Sequence, residues 1–290
     1  MSERPRIVQA EPVSHLIALA QAGDADAQFD LAERCRTGDG VEENAKEALR
    51  WYRAAADTGH ASAQNNLGSM YLHGIGTPVD FVEAVRWYRA AAAQGIAVAD
   101  YNLAVCYQNG EGVPHDDALA VQHLWRASLG GYDEADLDLG VAYRFGRGVA
   151  ASVEEAALHF IDAAERGNIA AMGNLCDCGE ELESLALAGS LTAAHCLATM
   201  YAGGLGVAKD RALEYAWVRW GLRESVLSQD DDGPGNFEGW LTLLRAELPR
   251  EQQRHGLREF NRLREVRDLL RRISAPGNAP SKGVSGERLP

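Results

Sequence analysis

Small and apolar residues recur along the chain at helical spacing, stop at a glycine, and begin again. In residues 61–71, Ala63 and Leu67 stand four apart, which places them on one face of a helix. A second helical stretch over residues 82–95 carries Trp87, Tyr88 and a run of alanines, and it closes on Gly95. Gly74-Ile75-Gly76 separates the two. The order is helix, tight turn, helix, stop. It returns at a fixed interval: the closing glycines Gly23, Gly59, Gly95, Gly131 and Gly167 are 36 residues apart. The inner pairs Gly38/Gly40, Gly74/Gly76, Gly110/Gly112 and Gly146/Gly148 keep the same register. A period of this size predicts stacked helix pairs, because one pair cannot bury its own apolar face and needs neighbours to complete a core.

Each recurring position has a physical role in that stack. Ala27, Ala63, Ala99 and Ala135 allow close helix approach, while Leu31, Leu67, Leu103 and Leu139 fill the space between layers. Glycine in the inner turn permits the positive φ that a tight corner between helices needs. Trp51-Tyr52 and Trp87-Tyr88 share one position on the second helices, followed later by His123-Leu124 and His159-Phe160. That stripe is expected to pack between layers rather than to box a ligand.

The pattern divides the chain. Residues 1–12 read as a flexible lead. Residues 13–227 form the repeat region, starting with a lone helix over His15 to Ala22. Cassettes follow near 23–58, 59–94, 95–130 and 131–166, then a truncated one at 167–188 and a last one at 189–224. In the truncated cassette, Asn168 to Cys178 predicts a first helix and Glu180 to Ala188 a short second one. Residues 228–236, rich in Asp and Gly, predict a linker. Residues 237–273 predict a helical C-terminal cap, in which Pro249 opens a helix with Leu257, Phe260, Leu263, Val266, Leu270 and Ile273 on one stripe. Residues 274–290 read as a disordered tail.

The motif A-x-x-x-L-G-x-x-Y-x-x-G-x-G-V, followed by A-x-x-W-x-x-x-A-A-x-x-G, resembles the Sel-1-like repeat, a relative of the tetratricopeptide repeat. The resemblance covers about residues 15–222. It implies an all-α, right-handed superhelical solenoid used as an adaptor or scaffold. It also implies two alternatives: a β-lactam-type binder or hydrolase, as in a minority of bacterial members, and an immunity or chaperone-like partner of an effector. Secreted members often carry a regular cysteine pair in each repeat, a framework this chain lacks. In related solenoids the first helices line the concave groove. Here a ladder of Asp30, Asn66, Asn102, Asp138 and Asn174 falls on those helices, one residue before the core leucine. Side-chain amides both donate and accept hydrogen bonds, which suits an extended peptide backbone. The same groups could equally bridge neighbouring helices. Arg36, His73, Asn109 and Arg144 stand near the turn end and would form the rim.

Charge and cysteines narrow the function. A formal net charge of −14 over 290 residues argues against general nucleic-acid binding, which needs a basic surface. No apolar run is long enough to predict a membrane span. The first residues lack the apolar segment of a secretory signal, and five cysteines without regular pairing fit reduced thiols, so the expected compartment is the cytoplasm. Cys176, Cys178, His195 and Cys196 have zinc-ligating chemistry, but a Cys-x-Cys on a helix points its thiols to different faces, and no metal or cofactor is expected. The Asp cluster near residue 230 lacks the ligand spacing of a calcium loop. The eight histidines are scattered and stand in no nucleophile motif, so no catalytic residue is assigned and a non-enzymatic role is expected. From Arg245 to Arg272, nine arginines face five acids. This basic helix reads as a cap with a solvated face or as a contact for an anionic partner. The function predicted is that of an adaptor binding a protein or peptide in its groove.

Overall fold

A computed structural model describes residues 13–228 and 236–274. The lead at 1–12, the interior of the predicted linker and the tail beyond 274 lie outside the described residues, as do the side chains of Leu270 and Ile273. The described residues form fourteen α-helices and no strand. Two compact units divide between Ala151 and Ser152.

The first unit contains α1 (Val13–Gln21), α2 (Ala25–Thr37), α3 (Ala45–Asp57), α4 (Ala61–His73), α5 (Phe81–Ala92), α6 (Ala97–Asn109), α7 (Asp117–Leu129) and α8 (Glu134–Phe145). Each helix packs on the next in sequence. Residues of low exposure sit at the predicted positions: Leu31, Leu67, Leu103 and Leu139 are buried, with Ala63, Ala99 and Ala135 fully so. Tyr52 and Tyr88 are buried in the same core, and Leu124 replaces them in α7. Asn44, Asp80 and Asp116 cap the second helices by accepting from backbone N–H groups of the first turn.

The turns explain the glycines. Gly74 ends α4 in the left-handed region at φ 69°, and its N–H reaches Met70 O. Gly76 is needed for a second reason. A Cβ there would lie 2.4 Å from the Ala45 carbonyl oxygen at the start of α3. The turn of one cassette therefore touches the backbone of the cassette before it, and the same fit recurs at Gly112 against Phe81 and at Gly148 against Asp117.

One buried polar position went unnoticed in the sequence. Gln28, Gln64, Asp100 and Asp136 follow the small alanine of each first helix and are all buried. Gln28 Nε2 donates to Ala20 O and Gln64 Nε2 to Ala56 O, each at 3.1 Å. Asp100 instead meets His123 Nδ1 at 2.8 Å, and Asp136 accepts from Ser128 Oγ at 2.7 Å. Each group ties a first helix to the helix before or after it, which satisfies a donor or acceptor that burial would otherwise leave costly.

The second unit contains α9 (Val153–Glu165), α10 (Ile169–Ala188), α11 (Leu191–Gly203), α12 (Arg211–Ser228), α13 (Phe237–Glu247) and α14 (Arg250–Ser274). The truncated cassette differs from expectation. Its predicted first and short second helices are one continuous helix, α10. Gly179 does not break it, because Leu175, Cys178, Leu182 and Ala186 form an unbroken buried stripe through that point. Among the described residues of this unit, α12 packs on α11, α13 and α14.

The buried face of α14 is also turned from the predicted one. Gly256, Phe260, Leu263 and Arg267 face inward, whereas Leu257 is 40% and Val266 38% exposed. Two contacts set this rotation. A Cβ on Gly256 would lie 2.5 Å from the Ala212 carbonyl oxygen, so α14 touches the backbone of α12 there. Arg267, buried over Trp220, donates to Glu224, so the basic helix is not solvated throughout.

Candidate functional site

The predicted polar ladder lies mainly on the first helices of the first unit. Asn66 and Asn102 join one hydrogen-bonded network. Asn66 Nδ2 donates to Glu33 Oε1 at 2.7 Å and to the Tyr52 hydroxyl at 3.4 Å, and Tyr52 itself donates to Glu33. Asn65 Nδ2 donates to Asn66 Oδ1 at 3.2 Å, and Asn102 Nδ2 donates to Asn65 Oδ1 at 3.1 Å. The network therefore runs from α2 through α4 to α6. Asp138 on α8 accepts instead from the Tyr101 hydroxyl, whose ring packs on Tyr132 with centroids 4.8 Å apart. Asp30 is exposed beside the network. Asn174 belongs to the second unit, where its Nδ2 donates to Ala170 O of its own helix at 2.9 Å.

Electrostatics differ along the row. Burial pushes the Glu33 carboxyl up, but donation from Tyr52, Arg36 and Asn66 outweighs it and holds the group below its usual range. Asp138 goes the other way: burial raises it, and the bond from Tyr101 offsets only part. Burial, with the nearby Asp138, also raises the Tyr101 hydroxyl.

Of the rim residues, Arg36 is exposed and pairs with Glu33 at 2.7 Å. His73 and Asn109 are exposed at the last residues of α4 and α6. Arg144 is half-buried in the last turn of α8. A cavity of about 360 Å³ brings Asn109 and Asp138 together with Gln108, His115, Asp117 and Arg147. His115 closes it, with Nδ1 2.7 Å from Gln108 O and Nε2 3.5 Å from Asp117 Oδ2. Amides, two carboxylates and a guanidinium converge here. Such a lining suits a polar peptide segment more than an apolar body.

The sequence reading missed Glu33, Asn65, Tyr101 and His115, and it gave Tyr52 a packing role alone. One signal was present but not periodic. Glu33 corresponds to Ser69, Val105 and Val141 in later cassettes, and Tyr52 to Tyr88 and Leu124. The two positions change together: Tyr52 meets Glu33, Tyr88 meets Ser69, and an apolar pair follows.

Cys176, Cys178, His195 and Cys196 do not face a common point. Cys176 is exposed, while Cys178 and Cys196 are buried. The His195 ring lies edge-on to Phe237 and Trp240 at 6.3 and 5.8 Å. Burial lowers the imidazole and pushes the Cys196 thiol up to about 12, so both stay neutral. Among the described residues no helix is long and apolar enough to cross a membrane.

Helix pairs stacked at a constant interval, with a polar row on the first helix of each, define a helical repeat protein. The family assignment follows from direct matches: the Sel1 repeat pattern fits residues 25–60, 61–96, 97–132, 133–168 and 192–216, and the chain belongs to the Sel1 repeat family. No curated protein gives a significant match. Similar solved structures include the following two. A protective antigen present in uropathogenic Escherichia coli strains, displaying an SLR fold, is 26% identical with a TM-score of 0.57, over 94% of this chain and 62% of the antigen. The chain thus spans under two thirds of that antigen's length. A Sel1 repeat protein from Oxalobacter formigenes is 28% identical with a TM-score of 0.55, over 81% of this chain and 93% of that one.

Proposed function

We propose that the protein is a non-enzymatic adaptor that binds a protein or peptide partner along the first-helix strip of residues 13–151. The observation that supports this reading is the hydrogen-bonded row from Glu33 to Asn102, with exposed polar groups beside it and the polar cavity near Asp138. Preordered side chains lose little freedom when a ligand arrives, which favours binding. Sel1 repeat proteins serve generally as protein-interaction scaffolds, which agrees with this use. Five cysteines outside any disulfide, four of them buried, fit a reducing cytoplasm as the place of action.

The geometry decides which variants test the strip. Asn66 and Asn102 hold the fold together, so alanine at either removes a hydrogen bond worth about 1 kcal/mol and confounds binding with stability. Asp30, His73 and Asn109 are exposed and are better probes. The tagged chain is expected to capture a stoichiometric protein from its native host, identified by mass spectrometry. The combined variant Asp30→Ala, His73→Ala, Asn109→Ala is expected to lose that partner with an unchanged melting temperature. Undiminished capture by the variant would count against the strip. Nitrocefin turnover that survives repurification would replace the adaptor reading with a hydrolase.

A further inference from the structure

The second unit carries a cationic cleft that the strip does not use. A cavity of about 760 Å³ lies between the turn into α12 and the first turns of α14, lined by the cations Lys209, Arg211, Arg254 and Arg258 and the acids Asp210 and Glu251. Its walls are held together where Gly256 meets the Ala212 carbonyl. The cations are not equivalent. Arg211 is already committed to the buried Glu214 at 3.0 Å and to Glu247 at 2.8 Å. Lys209, Arg254 and Arg258 are exposed, and among the described residues none of them has a carboxylate within ion-pair distance. Lys209 acts on the charge of the buried Glu214, which leaves Arg254 and Arg258 as two uncompensated cations facing the cavity, on a chain of net charge −14.

We propose that this cleft docks an acidic peptide segment of a protein partner. Guanidinium groups match carboxylates in a two-pronged geometry, so arginines suit this ligand better than lysines would. Arg254 and Arg258 are one helical turn apart, roughly 6 Å along the axis. Alternate residues of an extended peptide are separated by about 6.6 Å. The match is to two acidic side chains flanking one residue. Asp210, already accepting from the Ala212 and Leu213 N–H groups, interrupts the positive lining, as do Glu251 and Gln252. Their carboxylate and amide accept from and donate to a peptide backbone, whereas a continuous polyanion would meet Glu251 as a like charge. The inference is independent of the strip in residues 13–151, and its variants leave that strip untouched.

The test is fluorescence anisotropy on the full chain with a labelled peptide of alternating Glu and Gly, against its Gln-Gly counterpart. The Glu peptide is expected to bind saturably, weakening as salt rises, and the Gln peptide at least roughly tenfold more weakly. Arg254→Glu with Arg258→Glu is expected to lose at least roughly tenfold in affinity with an unchanged helical circular dichroism spectrum. Arg262→Glu, on the same helix outside the cleft lining, is expected to bind as the parent does. The proposal is overturned if neither peptide saturates, if both bind alike, or if the double reversal binds at parental affinity. Equal loss in Arg262→Glu overturns it too. Sedimentation with phosphatidylserine vesicles or salt-sensitive self-association, without Glu-peptide binding, would assign the cleft to a membrane or to a second copy instead.

Discussion

Glu33 shows how much of the site depends on a single side chain. It collects Tyr52, Asn66 and Arg36 at once, although the next three cassettes hold serine or valine at its position. A 36-residue period reveals what is common to the cassettes, so it exposed Asn66 and Asn102 and hid Glu33, the partner of Asn66. The folded carboxyl titrates below its unfolded value of about 4.5. Its contribution is therefore complete above that pH and is lost as pH falls through the lower, folded value. Urea unfolding of the parent and Glu33→Gln is expected to differ by about 1 kcal/mol at pH 7, after allowing for partial exposure, and to converge as pH falls through the lowered, folded value. A gap that persists in acid would mean the bonds do not need the charge.

At the level of helices, the glycine interval located α2 to α9 because every turn there needs a residue without a side chain. Past Gly167 the sequence keeps its glycines but changes their use. Gly173 and Gly179 lie inside α10 with ordinary helical backbone, and the Leu175–Cys178–Leu182–Ala186 stripe decides the structure. The stripe was readable, but the helix-pair pattern of the earlier cassettes placed a break between Cys178 and Glu180. The rotation of α14 was less legible, since a buried arginine and a glycine hold positions that hydrophobic spacing gives to leucine and valine. Phe260 sits at the centre of that packing, 6.2 Å from the Trp220 ring. Phe260→Ala is expected to destabilise residues 152–274 by about 3 kcal/mol, read from the urea midpoint. A cost under about 1 kcal/mol would show that α14 is not needed to cover the end of this unit.

For the molecule as a whole, two compact units divide within the repeat region, and a matched repeat at residues 133–168 spans the point between them. The cassette near 131–166 crosses Ala151 with its period unchanged, so nothing in the pattern marks the division. In repeat proteins, stability is a sum of local terms rather than one global value. Leu67 is fully buried in the first unit, and Leu67→Ala is expected to cost about 3 kcal/mol. Hydrogen exchange should then quicken across residues 13–151 and stay at the parental rate in 152–274. Equal acceleration in both would show that the units unfold as one.

The contact between each turn and the preceding cassette bears on how such a chain can change its length. Gly76, Gly112 and Gly148 each fit against a backbone carbonyl of the helix pair before them. Recombination that copies or removes 36 codons returns every glycine to an equivalent carbonyl. A gain or loss of a few codons inside a cassette sets one of them against the wrong atom. Length in the full cassettes is thus accommodated in steps of 36 residues, and the truncated cassette at 167–188 departs from that step only by giving up its inner turn for one continuous helix.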